Sequence, residues 1–149
     1  MWKLTASERV VHWKDFRSTL DHLSLENAIQ SVAEFWQGCP FVPFYLEPDD
    51  PDEWPNPWEL IAENYYCDLA KTLGMLYTIY FTVHEKNLEP ELRIYVDPES
   101  EFTYNLAIFA QGKYVVNLVD SKVVNIESIN KNFRLTHRYS STDLKLKEY

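Results

Sequence analysis

Apolar residues recur every three or four positions through the first half of the chain, then gather into short β-branched and aromatic runs in the second. Thr5 followed by Glu8 has the spacing of a capping box, in which hydroxyl and carboxylate satisfy amides of a helix's first turn. Val10, Trp13, Phe16 and Leu20 continue it as one apolar stripe. A second helix opens at Ser24, carries Leu25, Ala28, Ile29, Val32, Phe35 and Trp36 on the 3.6-residue period, and is stopped by Gly38 and Pro40. Such stripes predict core packing.

After "EPDDPDEWP", five acids among three prolines that predict a solvated connector, the helical signal returns. Asn56, Pro57 and Glu59 form a strong start. Trp58, Ile61, Ala62, Tyr66, Leu69, Ala70, Leu73, Tyr77 and Tyr80 hold helical spacing to about Phe81, with a bend expected at Asn64. The β-branched and aromatic content of "MLYTIYFTV" also allows a strand over 75–83. Beyond it, "LRIYV", "TYNLAIFA" and "KYVVNLV" are separated by "DPES" and "QGK", which predicts an antiparallel meander. "FRLTHRY" adds an edge strand, and the alternating "LKLK" suggests that 140–149 is an extended tail, able to join a neighbour's sheet. The expected fold is α+β: one domain over 1–149, with N-terminal helices (5–82) packed on a C-terminal antiparallel meander (91–139).

Composition narrows the function. A chain of 149 residues with 46% hydrophobic residues can build a full core without disulfides, and its two cysteines form no framework. A net charge of -9 disfavours general nucleic-acid binding. The charge is uneven, because from Asn130 onward five basic residues outnumber two acids. No signal-like or membrane-length apolar run is present, so a cytoplasmic location with neither nucleic acid nor membrane as partner is expected.

Few residues suggest chemistry. Three scattered glycines cannot cradle a phosphate, and the four histidines lack metal-ligand spacing, so no cofactor and no metal is expected. The prolines of the acidic segment exclude the wrapping of a calcium loop. Cys67, in "NYYCDLAKTLG", is the one nucleophile with a context, and its other reading is a small buried hydrophobe. Tyr65, Tyr66, Tyr77 and Tyr104 offer a further, less specific reading as the lining of a pocket.

That context resembles the transglutaminase-like family, related to papain-like cysteine peptidases. "NYYCDLAKTLG" carries the cysteine, an acid next to it and Ala70; "YNLAIF" and "GKYVVNLVD" match the two strands that follow. The resemblance implies a catalytic cysteine at Cys67, a histidine in the first strand and an aspartate at the end of the second. Here those positions hold Asn105 (or Tyr104) and Asn117 (or Leu118), with Asp120 too far along, and the usual glycine before the cysteine is absent. An asparagine neither takes a thiol's proton nor holds a positive charge, so the expectation is a non-catalytic interaction module, with an active Cys67 peptidase or transglutaminase as the alternative. A histidine from elsewhere, His84 or His137, is what the alternative would need. The partners expected are proteins, including further copies in a larger assembly. Glu47, Asp49, Asp50, Asp52, Glu53 and Trp54 form an acidic docking strip, with Lys145 and Lys147 as its basic complement. A compact, acidic, aromatic-rich chain also resembles small structural proteins of tailed-phage virions, from head–tail or tail.

Overall fold

The computed structural model describes residues 1–149 and contains four α-helices followed by a four-stranded antiparallel sheet, an α+β arrangement. Helix α1 (Ala6–Leu20) begins with the complete Thr5/Glu8 capping box, and α2 (Leu25–Gln37) is capped by the Ser24 hydroxyl. Asn56 and Glu59 cap α3 (Pro57–Glu63) in the same reciprocal way. The chain then takes a left-handed turn at Asn64 and restarts as α4 (Asp68–Tyr80). Residues 75–80 are therefore helix, and the strand reading of this stretch does not hold.

Helix α4 is the central rod, buried on nearly every side from Leu69 to Ile79. Trp36 packs directly against it at Gly74, where an added Cβ would lie 2.4 Å from the ring. One turn on, Thr78 accepts the indole N–H of both Trp13 and Trp36 at 2.9 Å and donates to the Gly74 carbonyl at 2.6 Å. A single hydroxyl thus satisfies two buried donors and ties α1, α2 and α4 together. Buried Arg9 extends the stitching. Its guanidinium donates to the carbonyls of Leu4, Ile61 and Ala62, the last two at the unsatisfied C-terminal end of α3.

Strands β1 (Glu91–Val96), β2 (Thr103–Phe109), β3 (Tyr114–Val116) and β4 (Arg134–Ser140) stand in the order β3-β2-β1-β4. The first three form the expected meander and β4 the expected edge. Leu92, Ile94, Ala107, Phe109 and Val116 face the helices. The opposite face has its own small core: Tyr95, Leu106, Ile108, Val115 and Ile129, covered by Leu118, Val124, Ile126 and Phe133 from the β3–β4 connection. Because both faces are covered, β2 is buried continuously from Asn105 to Phe109 instead of alternating.

The last residues depart from expectation. Instead of an extended arm, 141–149 fold back through turns that bury Leu144 and Leu146 in the main core and set Tyr149 edge-on to Tyr77. Two leucines two residues apart suit a strand, yet here the left-handed Lys145 between them sends both inward. No helix is long and apolar enough to cross a membrane.

Candidate functional site

The break between α3 and α4 determines where Cys67 sits. Residues 40–42 run parallel to the linker, with the Tyr66 amide donating to the Pro40 carbonyl and the Val42 amide to the Tyr66 carbonyl, both at 3.0 Å. This pins Cys67 in an extended conformation as the N-cap of α4. Its carbonyl accepts the Lys71 amide at 2.9 Å, while its thiol caps nothing and the residue as a whole is only 2% exposed.

Asp68 follows at the first helical position and becomes a hub. Asn105 of β2 donates its side-chain amide to Asp68 Oδ2 at 2.9 Å, and Asn117, just past β3, donates to Asp68 Oδ1 at 3.1 Å. The Asn117 amide also reaches Thr72 Oγ1 at 3.0 Å and the Asn105 carbonyl at 2.9 Å, and the Thr72 hydroxyl donates to that same carbonyl at 2.9 Å. Helix start, central strand and strand end are thereby locked through one carboxylate. Lys71 lies 3.7 Å from Asp68, whose side chain remains 42% exposed. From the residues alone Asp68 is an ordinary acid of a first helical turn, and Thr72 draws no attention. The spacing of Asp68 and Thr72, one helical turn apart, was the available signal.

Two hollows meet at this carboxylate. One, of about 390 Å³, is lined by Phe41, Phe44, Pro48, Cys67, Asp68, Leu69, Thr103 and Asn105. The other, of about 320 Å³, is more polar and takes in Gln37, Lys71, Phe102, Asn117 and Asp120, sharing Asp68 and Thr103 with the first. Cys67 and Asn105 in one hollow and Asn117 in the other therefore border a single cleft.

No histidine lines either hollow. His84 Nε2 is engaged with the Leu20 carbonyl at 2.9 Å. His137 shares a rank of the sheet with Ile94 and Asn105, two strands away from the latter, or about 10 Å. Its ring instead meets Asp49 at 2.6 Å. The other cysteine, Cys39, is half-buried, and burial pushes its thiol up to about 11.

Of the remaining tyrosine and docking-strip candidates only Tyr104 borders the cleft, on the side of the polar hollow. Tyr66 and Tyr77 are core residues, and Tyr104 stacks on Phe133 across the sheet's far side, so the four tyrosines line no common pocket. In the acidic strip, Glu47, Asp49, Asp50, Asp52 and Glu53 are exposed, while Trp54 is buried and donates to the Glu47 carbonyl at 2.8 Å. Trp54 thus pins the loop. Lys145 pairs with Asp52 at 3.0 Å within the same chain, and Lys147 is exposed. No group of three or more His, Cys, Asp and Glu side chains comes together to hold a metal ion.

No family model and no curated protein matches the chain. Among solved structures it is similar to LapG of Legionella pneumophila, with a TM-score of 0.70 at 10% identity over 91% of this chain and 75% of that one. A calcium-bound form of LapG gives 0.70 at 10% identity over 92% and 77%, and an EGTA-treated form 0.69 at 10% over 91% and 74%. At this identity the likeness concerns architecture alone, and that architecture is a transglutaminase-like fold.

Proposed function

We propose that this chain is a non-catalytic protein–protein interaction module on a transglutaminase-like scaffold, with the cleft beside Cys67 as its binding surface. One observation carries the reading. The side chains at the positions where the family places histidine and aspartate are Asn105 and Asn117, and both spend their amides on Asp68. A free thiol is only a few per cent thiolate at neutral pH, and the start of a helix favours the anion without supplying proton transfer. General acid–base work needs a group that ionises near neutrality, which an amide does not. Cys67 then serves as a small apolar wall of the hollow. The exposed acids of 47–53 offer a second contact for a basic partner, one that weakens with salt.

The test is alkylation of the native protein with iodoacetamide between pH 5 and 9, resolved by peptide mass spectrometry. Cys39 stays protonated over this range because burial raises its thiol to about 11. Cys67 is expected to react only after unfolding. Rapid alkylation of Cys67 below pH 7 would instead favour the thiol-enzyme reading, whose one structural support is a cysteine at a helix start beside a hollow of about 390 Å³.

A further inference from the structure

Three phenylalanines ring the cleft with their side chains in solvent: Phe41 is 74% exposed, Phe44 64% and Phe102 67%. Phe41 and Phe44 line the apolar hollow over Cys67, and Phe102 lines the polar one. Aromatic surface of this kind, gathered at one concavity, marks recognition better than scattered exposure does.

The backbone beside it is also open. Hydrogen bonding alternates along a strand, and the Phe102 carbonyl accepts from Asp97 on the β1 side, so Thr103 and Asn105 direct theirs to the other side. The Asn105 carbonyl is taken by Thr72 and Asn117. Strand β3 reaches no further along β2 than Ala107, which leaves Thr103, shared by both hollows, without a strand partner there.

Charge selects the occupant. The polar hollow holds Asp68 and Asp120 against Lys71 alone. Lys71 is already paired with Asp68, and Asp120 is exposed and belongs to none of the chain's ion pairs. The chain around it carries -9.

We propose that the cleft holds an extended protein segment that pairs with Thr103, seats an apolar side chain between Phe41 and Phe44, and sets an adjacent basic side chain against Asp120 and Asp68. This names the partner chemistry of the non-catalytic reading and rests on it. Strand addition supplies affinity through main-chain bonds, and the two hollows read successive side chains, which point to opposite sides of an extended segment.

Peptides carrying fluorescein on the N-terminal amine test it by anisotropy: fluorescein-SVTFRVTS-amide, its Phe→Ala form and its Arg→Glu form, with the Thr103 amide followed by NMR. The parent peptide is expected to bind saturably and shift that amide, with each altered peptide at least about tenfold weaker, a difference of 1.4 kcal/mol. In the protein, Phe44→Ala should weaken the parent peptide similarly. Asp120→Asn should weaken the parent and leave the Arg→Glu form unchanged or tighter. No saturable binding up to about 1 mM, equal binding of all three peptides, or shifts confined to another surface would overturn the proposal. Mass spectrometry of the recovered peptides separates the two readings. Peptide cut, or attached to Cys67, sinks the non-catalytic reading; intact peptide that fails to bind sinks only the partner chemistry.

Discussion

Asn105 donates its side-chain amide to the Asp68 carboxylate across 2.9 Å, in the hollow that Cys67 also lines. An imidazole placed at 105 would meet that carboxylate and be held in its charged form, next to the thiol. In a Cys39→Ser background, Asn105→His is expected to raise the rate of Cys67 alkylation at pH 6.5 by about tenfold or more, as histidinium stabilises the thiolate. An unchanged rate, measured with iodoacetamide, would mean that the site's geometry no longer suits a base. Asn117→Asp is the wrong companion, because it sets a second carboxylate 3.1 Å from the first. Its like-charge pair raises a folded-state carboxyl pKa, so this variant should lose stability as pH rises above about 4.

Thr78 gives a second expectation. Replacing it with valine keeps the shape and orphans the indole N–H groups of Trp13 and Trp36. Each unsatisfied buried donor costs roughly 1–3 kcal/mol, so with two of them Thr78→Val should destabilise by about 2–6 kcal/mol, with an unchanged m-value in urea.

Gly74→Ala should also destabilise, against intrinsic preference. Alanine is favoured over glycine in a helix by about 1 kcal/mol. Here the new methyl would meet three Trp36 ring atoms at 2.4–2.6 Å. Overpacking of this kind costs about 1–3 kcal/mol, so thermal unfolding should shift downward.

Glu91 makes stability depend on acid. Burial pushes its carboxyl up, but hydrogen bonds from Arg138 and Arg93 outweigh that and hold it below the usual carboxylate range. A lowered folded-state pKa means stability that is present above the unfolded value, about 4.3, and is lost as pH falls through the folded one. Urea titrations from pH 6 to 3 should show this component in the wild type and lose it in Glu91→Gln.

The chain's end is expected to matter for stability. Truncation after Tyr139 removes Leu144 and Leu146 from the core. At about 1.5–3 kcal/mol for each buried leucine, the loss should reach about 3–6 kcal/mol by urea denaturation. A truncated chain of unaltered stability would show that these leucines contribute little.

Much of this was legible in the residues. Capping pairs gave the starts of α1 and α3, Asn64 the break, and the runs after Glu91 the strands, because these signals are local. The convergence of Asn105 and Asn117 on the head of α4 was legible only through family resemblance. Asp68 was hidden because an acid in a first helical turn is already explained by the helix dipole. The fold-back of the tail and the cover over the sheet's far face were hidden for another reason: Leu144 and Leu146 alternate as a strand would, and Val124, Ile126 and Ile129 lie in a short polar-interrupted stretch with no helical period. "KYVVNLV" promised a longer strand, but Asn117 turns to a positive φ of 71° and ends β3 at Val116.

The double covering of the sheet determines how the native state comes apart. Strand β2 sits between β1 and β3 and beneath apolar layers on both sides, so water reaches the amides of Leu106–Phe109 only when the whole molecule opens. Deuterium should enter those amides last, at the rate set by global unfolding. The exposed strand β4 should take it up earlier, through partial openings that leave the Asn105–Asp68 junction closed.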